Sequence, residues 1–262
     1  MCTLIAIHRR VPGSPLVVAA NRDEYLDRPT EGLALRRTPT GTVVAPQDIR
    51  AGGTWLGLSG RGVFSALTNL RNPSPDPTLK SRGLVVLQAL EARCAEEAAD
   101  ALQGLPRDAY NPFNCLVADA ETAWLVVYQN QARVHELEPG VHVIGNADPA
   151  APVVPKLDRV SLAARRAAEL PAAEVLDALS EICREHWAGS DPLDDTCVHV
   201  ADTYGTRSSM LLELCEEPGR SRLLYADGPP CTTGYEDSSA LLDELSRMPG
   251  YESAELLTRN AG

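Results

Sequence analysis

Residues 1–25 read MCTLIAIHRR VPGSPLVVAA NRDEY. Apolar runs at about residues 2–8 and 15–20 have the length and composition of β-strands. A thiol opens the first run, and the second leads directly into Asn21, Arg22, Asp23, Glu24 and Tyr25. Two readings of that polar run stand side by side. It closes as a solvated turn onto Arg28 and Pro29, or it is a strand end that presents functional groups to a site.

Working outward, further strand signals fall at 42–45, 54–58 and 62–69. Leu87, Leu90, Cys94, Ala98 and Ala101 then recur three or four residues apart, which predicts an amphipathic helix over 84–102 ended by Gly104 and Pro106. Strands return at 114–119, 123–129, 132–137 and 141–145, helices at 156–169 and 173–187 on either side of Pro171, and a last β block at 196–202, 208–215 and 221–226. The tail, 238–262, has helical periodicity in Leu241, Leu242 and Leu245. Strand blocks segregated from helices argue against βαβ units and for α+β packing, with antiparallel sheets and the helices outside. No repeat or Ser/Gly linker divides the chain, so one domain over 1–262 is expected. The stretch RNPSPDP at 71–77 reads as an exposed loop or as a gate beside a site. Gly52, Gly53, Gly57, Gly60 and Gly62 lack the order of a phosphate loop and read as tight turns.

A formal charge of -12 opposes binding to phosphate backbones, and no basic run with interleaved aromatics occurs, so nucleic acid is not an expected partner. No window approaches the roughly 18 consecutive apolar residues of a membrane helix. The start lacks a basic region followed by an apolar core and a small-residue cleavage site, which predicts a cytoplasmic protein without a secretory leader.

Seven cysteines, Cys2, Cys94, Cys115, Cys183, Cys197, Cys215 and Cys231, show no CxxC spacing for zinc or redox chemistry, and no metal site is expected from them. Free thiols in a reducing compartment fit that pattern. Cys2 differs, because removal of Met1 leaves a thiol and an α-amine on one residue. An α-amine titrates near pH 7.7–8.0 and can take the thiol proton itself.

MCTLIAIH at the start, NRDEY at 21–25, GGTWLG at 52–57, TN at 68–69, SRG at 81–83, YNPFN at 110–114, GN at 145–146 and YGTRSS at 204–209 together resemble the NRDE family, also called the transport and Golgi organisation protein 2 family. The resemblance runs from residue 2 to about 215. It implies an N-terminal nucleophile (Ntn) hydrolase fold, a four-layer αββα sandwich. More distant relatives, the choloylglycine hydrolases and penicillin V acylases, also begin with Met-Cys and cleave linear amides through that cysteine. By this resemblance the nucleophile is Cys2, with Arg22 and Asp23 beside it, Asn69 of GVFSALTN as oxyanion donor, Asn146 as a second site asparagine and Arg207 as a late arginine.

The expected chemistry is acyl transfer from a small-molecule amide or thioester, without a cofactor. Cys2 attacks the carbonyl, Asn69 and a backbone N–H hold the oxyanion, the α-amine protonates the leaving group, Asn146 fixes substrate or amine, and Arg22 keeps the thiol ionised. A reading of another class is also open: a haem- or lipid-handling protein that keeps the fold without hydrolysis, with His8, His135, His142, His186 and His199 as candidate haem ligands.

Overall fold

The first two apolar runs pair with one another. β1 (Thr3–Val11) and β2 (Ser14–Tyr25) form an antiparallel pair in which Thr3 faces Asn21 and His8 faces Leu16. The structure, a computed structural model, describes residues 2–151, 154–187 and 191–248. In chain order the further strands are β3 (Thr30–Thr38), β4 (Gly41–Asp48), β5 (Leu56–Ser59), β6 (Phe64–Asn69), β7 (Phe113–Ala118), β8 (Ala123–Tyr128), β9 (Ala132–Glu136), β10 (Gly140–Ile144), β11 (His199–Val200), β12 (Tyr204–Leu214), β13 (Arg222–Ala226) and β14 (Glu236–Asp237). The helices are α1 (Gly83–Leu90), α2 (Ala95–Gln103), α3 (Pro155–Ala167), α4 (Ala172–Arg184) and α5 (Ala240–Ser246).

The chain forms two compact units. The first takes the residues up to Arg28 and Pro139–Ser239. Its antiparallel sheet has the order β10-β1-β2-β12-β13-β14, with β11 paired to β12. Ile5, Ile7, Val17, Ala19 and Leu211 project from one face into a core completed by Val160 and Ala164 of α3 and by Val175, Leu176, Leu179 and Cys183 of α4. The alternate residues Leu4, Ala6, Leu16, Val18 and Ala20 are buried as well, so these strands are apolar throughout rather than polar at every second position. Burying a Leu, Ile or Val side chain contributes roughly 1.5–3 kcal/mol, and this density of them makes β1 and β2 a rigid base for the residues at their ends.

The second unit, Pro29–Glu138 with α5, carries an antiparallel sheet in the order β3-β4-β5-β6-β7-β8-β9. Val85, Ala89, Ala98, Ala99 and Leu102 of α1 and α2 pack on Phe113, Cys115, Val117, Val126 and Tyr128 of β7 and β8. Two motif glycines explain how α1 docks: a Cβ on Gly53 would sit 2.5 Å from the carbonyl carbon of Gly83, and Thr54 N donates to Gly83 O across this contact. Only residues without side chains allow that approach.

Two elements depart from expectation. The single helix over 84–102 is two, α1 and α2, because the Glu91 carbonyl accepts from Thr40 Oγ1 and Arg61 outside the helix, while Cys94 is extended. Asp119, 24 residues onward, then caps α2 by accepting from Ala95 N at 2.7 Å. β3 is an unexpected strand, half-buried along its length, so its sequence shows no alternation against a core. The segment 71–77 is exposed, and Asn111 of YNPFN ties it down through both Asp76 N and Asp76 O. In the tail, α5 covers 240–246; residues from 249 onward lie outside the described residues.

Candidate active site

The NRDE run is strand, not turn. β2 continues through Tyr25, and Asn21, Arg22 and Asp23 are buried at the centre of the first unit's sheet. Two motifs far apart in sequence hold this stretch jointly. In the register of β2 with β12, Asn21 faces Ser209, Arg22 faces Ser208 and Asp23 faces Thr206, with a bulge at Arg207. Ser209 Oγ donates to Asn21 Oδ1 at 2.6 Å, and Thr206 Oγ1 donates to Asp23 Oδ1 at 2.7 Å. Asn21 Nδ2 reaches Cys183 O at the end of α4 and Thr196 O, which makes Asn21 a structural tie. Tyr204, edge-on to Tyr25 at 5.4 Å, donates its hydroxyl to the Asp23 carbonyl.

Cys2 lies directly before β1, beside these groups. Its backbone nitrogen donates to Asn146 Oδ1 at 2.8 Å, and its Sγ lies 4.0 Å from the Asp23 carbonyl oxygen. Burial pushes the Cys2 thiol up and the Asp23 carboxylate also raises it, while Arg22 acts in the opposite direction. Arg22, itself 3.5 Å from Glu24 Oε2, therefore pulls toward the thiolate as expected, but burial outweighs it. Burial likewise lifts the Asp23 carboxyl to about 6, against the pull of Lys156, the Thr206 hydrogen bond and Arg22. A carboxyl there changes charge close to neutrality.

Lys156 was not expected. It is only 4% exposed at the start of α3, and Nζ donates to Leu193 O at 3.5 Å. Burial pushes its ammonium down, opposed first by Asp23 and then by Cys2, so its charge acts on both. A single Lys after a proline at a helix start carries no motif, and only the fold reveals its role.

Cys2, Arg22, Asp23 and Asn146 are thus brought together, with Lys156 added. Arg207 occupies the β12 bulge and pairs with Asp227 at 3.6 Å. Asn69 ends β6, in the second unit. Of the five histidines, His8 is buried in β1, His135 lies on β9 and His142 on β10. His186 and His199 face each other at 5.3 Å between ring centroids and share their surroundings with Cys197 and Cys231, a set able to ligate a metal. All seven cysteines are free thiols.

Residues 1–223 match the profile of the family described as Transport and Golgi organisation 2. The chain belongs to that family. A curated relative, the Transport and Golgi organization 2 homolog of Mus musculus, is 34% identical over 145 residues, which are 50% of this chain and 50% of the relative. The chain therefore spans about half the length of the curated relatives it matches. Among solved structures, this Transport and Golgi organisation 2 family member resembles a variant of the conjugated bile acid hydrolase of Clostridium perfringens, with a TM-score of 0.61 and 13% identity over 96% of this chain and 98% of that one. It also resembles the Caenorhabditis elegans ortholog of N-acylethanolamine-hydrolyzing acid amidase, with a TM-score of 0.55 and 14% identity over 94% and 97%. These likenesses show the fold: the α+β Ntn-hydrolase class with antiparallel sheets that the sequence led one to expect. Among the described residues no helix is long and apolar enough to cross a membrane.

Proposed function

We propose that this family member is an N-terminal cysteine hydrolase or acyltransferase that acts on a linear amide or thioester. The observation that supports it best is the hold on the Cys2 nitrogen. That atom is an amide while Met1 is attached, and excision of Met1 turns it into an α-amine on the same residue as the thiol. Asn146 Oδ1 already accepts from it at 2.8 Å and would leave its lone pair free to take the thiol proton.

In the proposed cycle the α-amine removes the Cys2 proton and the thiolate attacks the acyl carbonyl carbon, moving the π electrons onto oxygen. Asn69 is given the oxyanion role on its sequence resemblance. The tetrahedral intermediate collapses, the α-ammonium protonates the departing amine or thiolate, and a thioester to Cys2 remains. Water, or a second nucleophile, then repeats the sequence with the amine again as base. Lys156 and Arg22 oppose, without outweighing, the burial that disfavours a thiolate, and Asp23 holds the strand end through its own carbonyl and Thr206. The two structural neighbours, named as an N-acylethanolamine-hydrolyzing acid amidase ortholog and a conjugated bile acid hydrolase, make acyl amides the first substrates to screen.

The test combines intact mass with kinetics. Protein whose mass lacks Met1 should hydrolyse one member of a panel of acyl amides and acyl thioesters, and Cys2→Ala should abolish that turnover while retaining the wild-type circular dichroism. Undiminished hydrolysis in Cys2→Ala would sink the proposal.

A further inference from the structure

Outside this site, four groups converge in the first unit. Cys197 Sγ is 3.5 Å from Cys231 Sγ and 3.7 Å from His199 Nε2, and His199 Nε2 is 3.2 Å from Cys231 Sγ. His186 completes the set, and one ligand atom from each residue lies within 4.8 Å of every other. With Zn–S bonds of about 2.3 Å and Zn–N bonds of about 2.0–2.1 Å, a tetrahedron has edges of roughly 3.3–3.8 Å between ligand atoms. The three separations among Cys197, His199 and Cys231 match those edges within a few tenths of an ångström, and His186, within 4.8 Å of the others, supplies the fourth corner. We propose that His186, Cys197, His199 and Cys231 form a structural zinc site.

Each ligand is placed by its backbone. Cys197 and His199 are two residues apart where β11 begins, and their side chains meet, Sγ to Nε2, at 3.7 Å. Cys197 N donates to Glu185 O, which brings the residue before His186 alongside. β12 closes on the same segment because position 205 is glycine: a Cβ there would sit 2.5 Å from Val198 O. α4 ends at Arg184 rather than continuing through 187, and this frees His186 from the helix. Asp195 then fastens it, with Oδ1 accepting from Trp187 N at 2.6 Å and Oδ2 lying 3.5 Å from His186 Nδ1. A carboxylate behind a ligating imidazole is the usual support of a metal-bound histidine. Cys231 arrives on a turn in which Thr232 N and Thr233 N both donate to Pro229 O, and Arg184 Nε pins the turn through Pro230 O at 3.1 Å.

Two thiolates and two imidazoles in a tetrahedron suit Zn²⁺, and four protein ligands leave no open position for catalysis. The metal's work is then to hold the end of α4, the segment around Cys197 and the turn at Cys231 to one another. That segment supports the NRDE strand: Val198 N donates to Thr206 Oγ1, which donates to Asp23, and Thr196 O accepts from Asn21. The site stands independently of the hydrolase reading, because it rests on other residues.

Elemental analysis of wild-type protein, purified under reducing conditions after zinc-supplemented expression, should find about one zinc per chain. The reduced wild-type protein loaded with Co²⁺ should show the visible bands of tetrahedral cobalt with sulfur-to-metal charge transfer. Cys231→Ser should weaken metal binding at least about 100-fold, and Cys94→Ser should leave it unchanged. Reduced wild-type protein that binds no cobalt in tetrahedral form overturns the proposal, and so does a Cys231→Ser protein that binds zinc as tightly as wild type. A Cys197–Cys231 disulfide in protein isolated without added oxidant would assign the pair to redox chemistry and also overturn it.

Discussion

The two sheets are both antiparallel and both covered by helices, yet they bury different things. In the first unit, β2, β12 and their neighbours bury Asn21, Arg22, Asp23, Thr206, Ser208, Ser209, Glu213 and, from α3, Lys156. In the second, the buried polar groups are mostly hydroxyls, and its buried charge, Asp119, caps α2 and closes a turn through Ala95 N, Glu121 N and Thr122 N. Their cysteines show the contrast in one residue type. Cys115 on β7 sits among apolar side chains that push its thiol up to about 12, whereas Cys2 is raised by burial but has Arg22 and Lys156 acting on it. The first sheet keeps buried charge at a strand end, the setting in which functional groups are tuned, whereas the second neutralises its polar groups locally.

The largest expected effect is on thiol reactivity. With its proton lost near pH 12, Cys115 is ionised to about one part in ten thousand at pH 8, so brief iodoacetamide treatment of folded protein should label Cys2 and leave Cys115 untouched. Peptide mapping that finds the two labelled at equal rates would erase the contrast between the sheets.

Asn69 tests whether the second unit takes any part in the chemistry. If it is the oxyanion donor, Asn69→Ala lowers kcat by about 100 to 1,000-fold, or roughly 2.7–4 kcal/mol, with little change in KM. A destabilised but fully active variant would return β6 to a purely structural role and move the test to Asn146.

Asp23 gives the comparison a pH signature. Its carboxyl titrates at about 6 in the folded chain and near 3.8 otherwise, so the folded state holds the proton more tightly between those values. Stability on this account is intact below pH 3.8 and declines as pH rises through about 6, by roughly 3 kcal/mol in all. Asp23→Asn should therefore gain stability relative to wild type between pH 4 and pH 7, read from denaturant midpoints; a difference that is flat with pH would remove the buried-charge account.

The smallest effect is expected in the scaffold. Asp119→Ala leaves three backbone N–H groups without their acceptor and should cost about 2 kcal/mol in urea unfolding, while Cys2 labelling stays at the wild-type rate. A matching loss of Cys2 reactivity would show that the two sheets are not separable in function.

Local pattern was enough to read most of the elements. β7 to β10, α3 and the start of α4 fall within a few residues of the positions read from periodicity, because their apolar faces meet a core and sequence spacing records that directly. The motif residues Cys2, Arg22, Asp23 and Asn146 were also legible, through family resemblance and through the chemistry of a cysteine next to the initiator. What escaped depends on partners distant in the chain. The α1–α2 break needs Asp119, Thr40 and Arg61; the burial of the NRDE run needs β12, some 185 residues later; Lys156 acquires its meaning from Asp23. His186, Cys197, His199 and Cys231 are spread over 46 residues without a recognisable metal spacing, and three separate backbone segments bring them together. Periodicity encodes which face of an element is apolar, so sequence alone determined most of the elements and the place of a cysteine beside the initiator. Which polar groups share a small buried volume depends on strand register and helix ends across the whole unit, and the tertiary structure alone decided that.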